Sequence, residues 1–171
     1  MGKLKWYNSG KLGLANIDYV GLQFGNISQK SISYTWRDTS GTERTVFMRN
    51  EYRGLLGAYI FASSTTEETF NENDYSMNQI SNVAVTPAIA SDTLVKTNDA
   101  YFRSCPVTVK NNTGAEVSIP SITSRVSNYY SSSSNSTALQ WCYIFDTPLV
   151  LAAGESITLV FNIGYKLPTN D

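Results

Sequence analysis

Residues 147–168, TPLVLAAGESITLVFNIGYKLP, leave this chain little choice of backbone. Ile157, Leu159, Phe161, Ile163 and Tyr165 alternate with Ser156, Thr158, Val160, Asn162, Gly164 and Lys166. A period of two belongs to an extended strand with one face buried, because successive side chains leave a pleated backbone on opposite sides. The pattern places Ile157, Leu159, Phe161 and Ile163 inside, and Thr158 and Asn162 outside or towards a neighbour. A one-residue slip would exchange the two sets. Leu149 and Leu151 share one face of a preceding run, and Ala153 and Gly154 turn the chain between them. Two such runs about a glycine turn read as a hairpin.

The same grammar recurs upstream. Ile32, Tyr34 and Trp36 alternate, 38–42 (DTSGT) turns, and 44–49 returns. Residues 54–62 (GLLGAYIFA) form a nearly continuous apolar run, a strand buried on both sides or an edge facing another subunit. Residues 63–82 are polar and acidic without a period, which predicts a long surface loop with one short helical turn over 76–80. Val83 and Val85 resume a strand that Pro87 ends. Cys105, Val107 and Val109 alternate before an Asn-Asn-Thr-Gly turn, and Val117 and Ile119 return, with Pro120 at the far end of this second hairpin. Residues 128–137 (NYYSSSSNST) read as a flexible polar loop.

About eight to ten strands with regular turn signals, and no amphipathic helix of useful length, define an all-β chain. The expected architecture is an antiparallel β-sandwich, jelly-roll-like, with an N-terminal arm and long polar loops. No fixed-period repeat points to a propeller or solenoid. Residues 1–30 are expected as an arm or irregular first strands, and residues 31–171 as a single sandwich domain. At 171 residues the chain is long enough to bury a core without staples.

Charged residues make up 16% of the chain, against a usual ~25%, and hydroxyls, amides and 11 tyrosines take their place. The net charge of -1 supplies no field to gather nucleic acid or an anionic membrane, so neither is expected as a partner. No apolar run reaches the ~20 residues of a membrane helix. The first residues carry early lysines but no apolar core or cleavage site, so no secretory signal is expected. Accordingly Cys105 and Cys142 are expected as buried, reduced thiols, and the sequons at Asn26, Asn111 and Asn135 as unmodified.

Histidine is absent. That removes Ser-His-Asp and Cys-His catalysis and most catalytic zinc sites at once. No phosphate loop of the GxxxxGK[ST] type is present. The chain is expected to be no enzyme and to hold no cofactor or metal. Two features could still carry chemistry. Glu67, Glu68, Glu72 and Asp74 share one loop, as a calcium loop or a carboxylate pair would, against the plainer reading of a solvated acidic loop. The tyrosines and tryptophans could line a sugar groove, against the plainer reading of core and interface aromatics.

The N-terminal residues fit no period for long. Leu4, Trp6, Tyr7, Lys11 and Leu12 form the candidate protein interface, an apolar and basic segment among glycines at 2, 10 and 13. Left in water, Trp6 and Tyr7 would be an exposed apolar pair, which argues that the segment docks on a neighbouring subunit. The alternative is that residues 4–7 form the first strand of their own sandwich.

Val107, Val109, Asn111, Thr113, Gly114, Val117 and Ile119 form one phrase, and Pro148, Leu149, Leu151, Gly154, Glu155, Ser156, Ile157, Thr158 and Leu159 a second. Together they make the C-terminal third resemble small virion structural proteins of tailed bacteriophages. The resemblance implies a non-enzymatic structural subunit of the virion, made in the host bacterial cytoplasm: a ring, decoration, neck or tail-associated protein near the capsid head or tail. Its partners would be other copies of itself and other virion proteins. Adhesin and carbohydrate-binding modules use similar phrases, and under that alternative the tyrosines and the loops at 63–82 and 128–137 would contact a glycan or receptor.

Overall fold

The structure, a computed structural model, describes residues 1–9, 32–47, 49–50, 60–88, 93–97, 100–131 and 133–166. The chain is all-β. Its strands are β1 (Gly2–Trp6), β2 (Ile32–Arg37), β3 (Glu43–Phe47), β4 (Arg49–Asn50), β5 (Ile60–Ser63), β6 (Val83–Pro87), β7 (Thr93–Lys96), β8 (Ala100–Asn111), β9 (Val117–Tyr129), β10 (Asn135–Leu151) and β11 (Ser156–Lys166). All pairings are antiparallel. One sheet runs β1-β10-β9-β4, with β5 also on β9; a second runs β11-β8-β6, with β7 also on β8; β2 and β3 form a separate hairpin.

The two larger sheets face each other across one core. Ile60, Ala62, Ile119, Ile122, Trp141 and Leu151 come from the first, and Val83, Cys105, Val107 and Val109 from the second. Phe161 of β11 reaches across to Trp141 and Tyr143, with ring centroids 6.3 and 5.6 Å apart. The Tyr143 pair is edge-to-face, a geometry that adds to the area it buries. This is the sandwich that the alternation implies.

The first sheet is covered on its outer face as well. Tyr7, Phe61, Leu139, Cys142 and Ile144 form a second cluster there, closed by Phe70 and Met77 from the loop after β5. A β-bulge makes both faces available to one strand. Leu139 pairs with Arg125 and Trp141 with Ser124, so Gln140 is an extra residue. Leu139 and Trp141, two positions apart, therefore face opposite sides, which unbroken alternation forbids. The extra residue is bound: Gln140 is buried, and its side-chain carbonyl accepts from Ser124 Oγ at 2.8 Å.

Two expected hairpins are crossings instead. Strands β10 and β11 are joined by a short turn but lie in different sheets, and so do β8 and β9. Among the described residues only β9 and β10 form a long hairpin, and it packs on the β8–β11 pair of the facing sheet. Pro120 is not at a strand end but inside β9, opposite the register break between Ile144 and Leu149, where a missing N–H interrupts nothing. In β11, Leu159 and Phe161 pack on the core while Thr158, Val160 and Asn162 are exposed, as the alternation requires. Ile157, expected inside, is 36% exposed; it stands one residue from the start of β11, where the core tapers off.

Further corrections concern loops. Residues 76–80 form no helical turn; Gln79 instead makes a bridge to Ser63. Of the expected loop at 128–137, the outer positions belong to β9 and β10, and Tyr130 N donates to Ser134 O across the tip at 3.1 Å. The apolar run at 54–62 is described only from Ile60, where β5 is buried at all four residues. Cys105 and Cys142 are free and buried, on the inner and outer faces of the fold's two clusters respectively.

Candidate functional site

The five residues of the candidate interface do not stay together. Leu4 stands on β1 and is 44% exposed. Trp6 packs against the inter-sheet core. Tyr7 is 1% exposed, its ring 4.9 Å from Phe70 and its N–H donating to Gln140 O. Lys11 and Leu12 lie outside the described residues, as does the rest of the arm over 10–30. Of the pair expected at the surface, Tyr7 is thus buried and Trp6 partly buried in this chain's own fold, with residues 2–6 as a strand on β10. Burial is the main cause that pushes the Tyr7 phenol far above its ordinary value, and burial likewise raises the Cys142 thiol. Neither group is prepared for proton transfer or nucleophilic attack.

The acidic loop is divided among separate tasks. Glu67 accepts Lys3 Nζ at 2.7 and 2.8 Å and lies 3.8 Å from Lys5 Nζ, fastening the loop to β1. Asp74 Oδ1 accepts the N–H groups of Tyr75 and Ser76, an Asx turn. Glu68 is exposed. Among the described residues no group of three or more His, Cys, Asp or Glu side chains is placed to hold a metal ion. The three tryptophans, Trp6, Trp36 and Trp141, all pack in or against apolar clusters, and Trp36 also lines an open cleft.

A polar cleft of about 240 Å³ lies where β1, the β2–β3 hairpin and the acidic loop meet. Glu43, Glu72 and Asp74 supply carboxylates, Arg37 a guanidinium, and Asn8 and Asn73 amides. Its walls are tied together: Asn8 N donates to Glu72 O at 2.9 Å, and Asn8 Nδ2 to Asn73 Oδ1 at 2.7 Å. Arg37 lies 5.0 Å over the Tyr75 ring and is the cross-strand partner of Glu43. The cleft offers hydrogen-bond donors and acceptors side by side.

The hairpin that forms one wall is held by a carboxylate that sequence reasoning passed over as a turn residue. Asp38 is fully buried. It accepts from Ser40 N and Thr42 N, from Ser40 Oγ, from Arg44 and, across the fold, from Ser136 Oγ at 2.7 Å. Burial alone would raise its pKa; the hydrogen bonds from Ser136, Ser40, Thr42 and Arg44 outweigh it and pull the group down to about 2. The signal was available in DTSGTER, where Asp is followed at two-residue steps by Ser40, Thr42 and Arg44.

The outer face of the second sheet is of another kind. Ala84, Thr86, Thr108, Thr158, Val160 and Asn162 are all exposed on it, with Lys110 as the charge at one end. Val160 is 61% exposed. The alternation read from the sequence had already put Val160 on this side with Thr158 and Asn162. Comparison of the chain with protein-family models, with curated proteins and with solved structures finds no match. What the fold and surfaces define is a class, an all-β antiparallel sandwich, and its function rests on the residues themselves.

Proposed function

We propose that this chain is a non-enzymatic structural subunit of a bacteriophage particle, a ring, decoration, neck or tail-associated protein that works through protein–protein contacts. The observation that carries the reading is the outer face of the second sheet, broad, nearly uncharged and bearing exposed Val160. Interfaces are depleted of charge at their centres, and such a face suits a neighbouring protein better than free solvent. The phrases that resemble phage virion proteins support it as scaffold: Val107, Val109, Asn111, Ile119 and Leu151 are all core residues. The test is mass spectrometry of density-purified phage particles from producing cells. The chain should be present in a stoichiometric copy number, and its presence in lysate but absence from particles would overturn the reading.

The cleft favours a second reading, a carbohydrate- or receptor-binding module. Paired carboxylates and amides suit the vicinal hydroxyls of a sugar. A glycan array probed with the purified chain and with Glu72→Gln/Asn73→Ala decides it. Binding by the first and not the second supports the module, and no binding by either removes it.

A further inference from the structure

Strand β11 is an edge, and it is unlike the edge at β1. Natural sheets protect an open edge with lysines, prolines, bulges or short length, since a row of unpaired N–H and C=O groups invites another strand. β1 is five residues long and carries Lys3 and Lys5. β11 is 11 residues long, pairs with β8 from Ser156 to Lys166 without a register shift, and has no proline. Its one charge is Lys166, the last residue. Among the described residues nothing lies against its other flank.

The side chains of β11 are complementary to themselves. In an antiparallel junction about a two-fold axis, residues directly opposite must be on the same face, so the axis passes through one residue and its own copy. With Val160 at the axis, Val160 meets Val160, Leu159 meets Phe161, and Thr158 meets Asn162. Apolar groups meet apolar groups, a hydroxyl meets an amide, and no like charges are opposed. We infer that two copies of this chain pair edge to edge through β11, antiparallel about a two-fold axis at Val160, joining their second sheets into one continuous sheet. This narrows the structural reading above, on which it rests for the nature of the contact, and names the partner as a second copy. A junction of one strand pair is small beside the ~1,200–2,000 Å² of standard interfaces, so the isolated pair is expected to dissociate in the micromolar range.

Single cysteines at the junction test the register. Val160→Cys places two thiols on opposed Cα positions ~4.5–5.5 Å apart, within disulfide range. Thr158→Cys places them four residues out of step and out of reach. The native Cys105 and Cys142 are buried and do not compete. Under mild oxidation at tens of micromolar protein, Val160→Cys should form a covalent dimer and Thr158→Cys should not. Sedimentation of the unaltered chain should show a concentration-dependent dimer. Thr158→Lys/Asn162→Lys, which opposes like charges twice, should weaken it about tenfold or more, and Thr158→Lys/Asn162→Glu should restore it, both with unchanged melting. Equal cross-linking of the two cysteine variants, or a monomer at every concentration, overturns the inference. A monomer that still co-purifies with particles overturns the pairing and leaves the subunit reading standing; a β11 dimer that never enters particles does the reverse.

Discussion

Asp38 and Asn111 sit at two turns written in nearly the same local language, and they do opposite things with the chain. Each is fully buried, each is hydrogen-bonded through its side chain to nearby backbone, and each stands beside a turn whose glycine has a positive φ, Gly41 at 84° and Gly154 at 78°. Asp38 closes a hairpin within one sheet, and all but one of its side-chain partners lie within six residues. Asn111 holds two sheet crossings together. Its Nδ2 donates to Ala115 O at 2.8 Å and to Leu151 O and Ala152 O, each at 3.0 Å, while its Oδ1 accepts Thr113 N at 2.8 Å. Its main chain joins in, donating to Glu155 O and accepting from Gly154 N. Turn chemistry states where a chain reverses. Which sheet it then enters depends on partners some 40 residues away.

The largest expected effect breaks the crossing side of this comparison. Asn111→Leu keeps the branched shape, adds bulk and leaves three carbonyls without their donor, which should cost about 3 kcal/mol or more in urea unfolding. A cost below about 1 kcal/mol would mean that the crossings close without it. Asn111 also stands in a sequon, and its burial leaves no room for a glycan.

Asp38→Ala should cost about 2 kcal/mol, because it leaves the partly buried hydrogen bonds of Ser40 N, Thr42 N and Arg44 without an acceptor. The damage should be local. Hydrogen exchange should quicken at β2 and β3 and hold steady at β8 and β11, whereas Asn111→Leu should loosen the latter; uniform acceleration in both would abolish the distinction between local and long-range pins.

The charge on Asp38 makes its half of the comparison depend on pH. A carboxyl whose pKa falls from 3.8 in the unfolded chain to about 2 in the folded one stabilises the fold above pH 4. That contribution, about 2 kcal/mol, is lost as pH falls from about 4 through 2. Acid titration of stability should show this loss, and Asp38→Asn should flatten it over the same window. Asn111 has no proton to gain and should leave the acid limb of the profile unchanged.

The smallest effects sharpen the comparison at the two glycines. Alanine at either must take a left-handed backbone, at about 1 kcal/mol. At Gly154 the new methyl meets nothing within 4 Å; at Gly41 it would come within 3.1 Å of Tyr75 Cε2. Gly41→Ala should therefore melt lower than Gly154→Ala by a degree or more, and the reverse order would place the tighter turn at the crossing.

Much of the strand content was legible because burial of one face forces a period of two, and β11 and β8 follow it over their described side chains. The bulge at Gln140 was not, since one extra residue in a 17-residue strand leaves no mark on local composition. Nor was the packing of Trp6 and Tyr7, which the sequence left open between docking on a neighbour and a first strand. Five residues of edge strand offer too short a run for a period to emerge, and their burial comes from Phe70 and β10, remote in sequence. The cleft is assembled from three distant segments, and no one of them announces it.

From its sequence alone this chain was bound to be an all-β protein with turns at 38–42, 111–114 and 153–154, because side-chain alternation and glycine or Asx turn residues act over neighbouring positions. Only the tertiary structure decided which turns close hairpins and which cross between sheets, which face of β10 each apolar residue serves, and which edge was left open. Those choices depend on contacts between residues far apart in the chain, where a buried polar group such as Asn111 or Asp38 must find every hydrogen bond it loses to water.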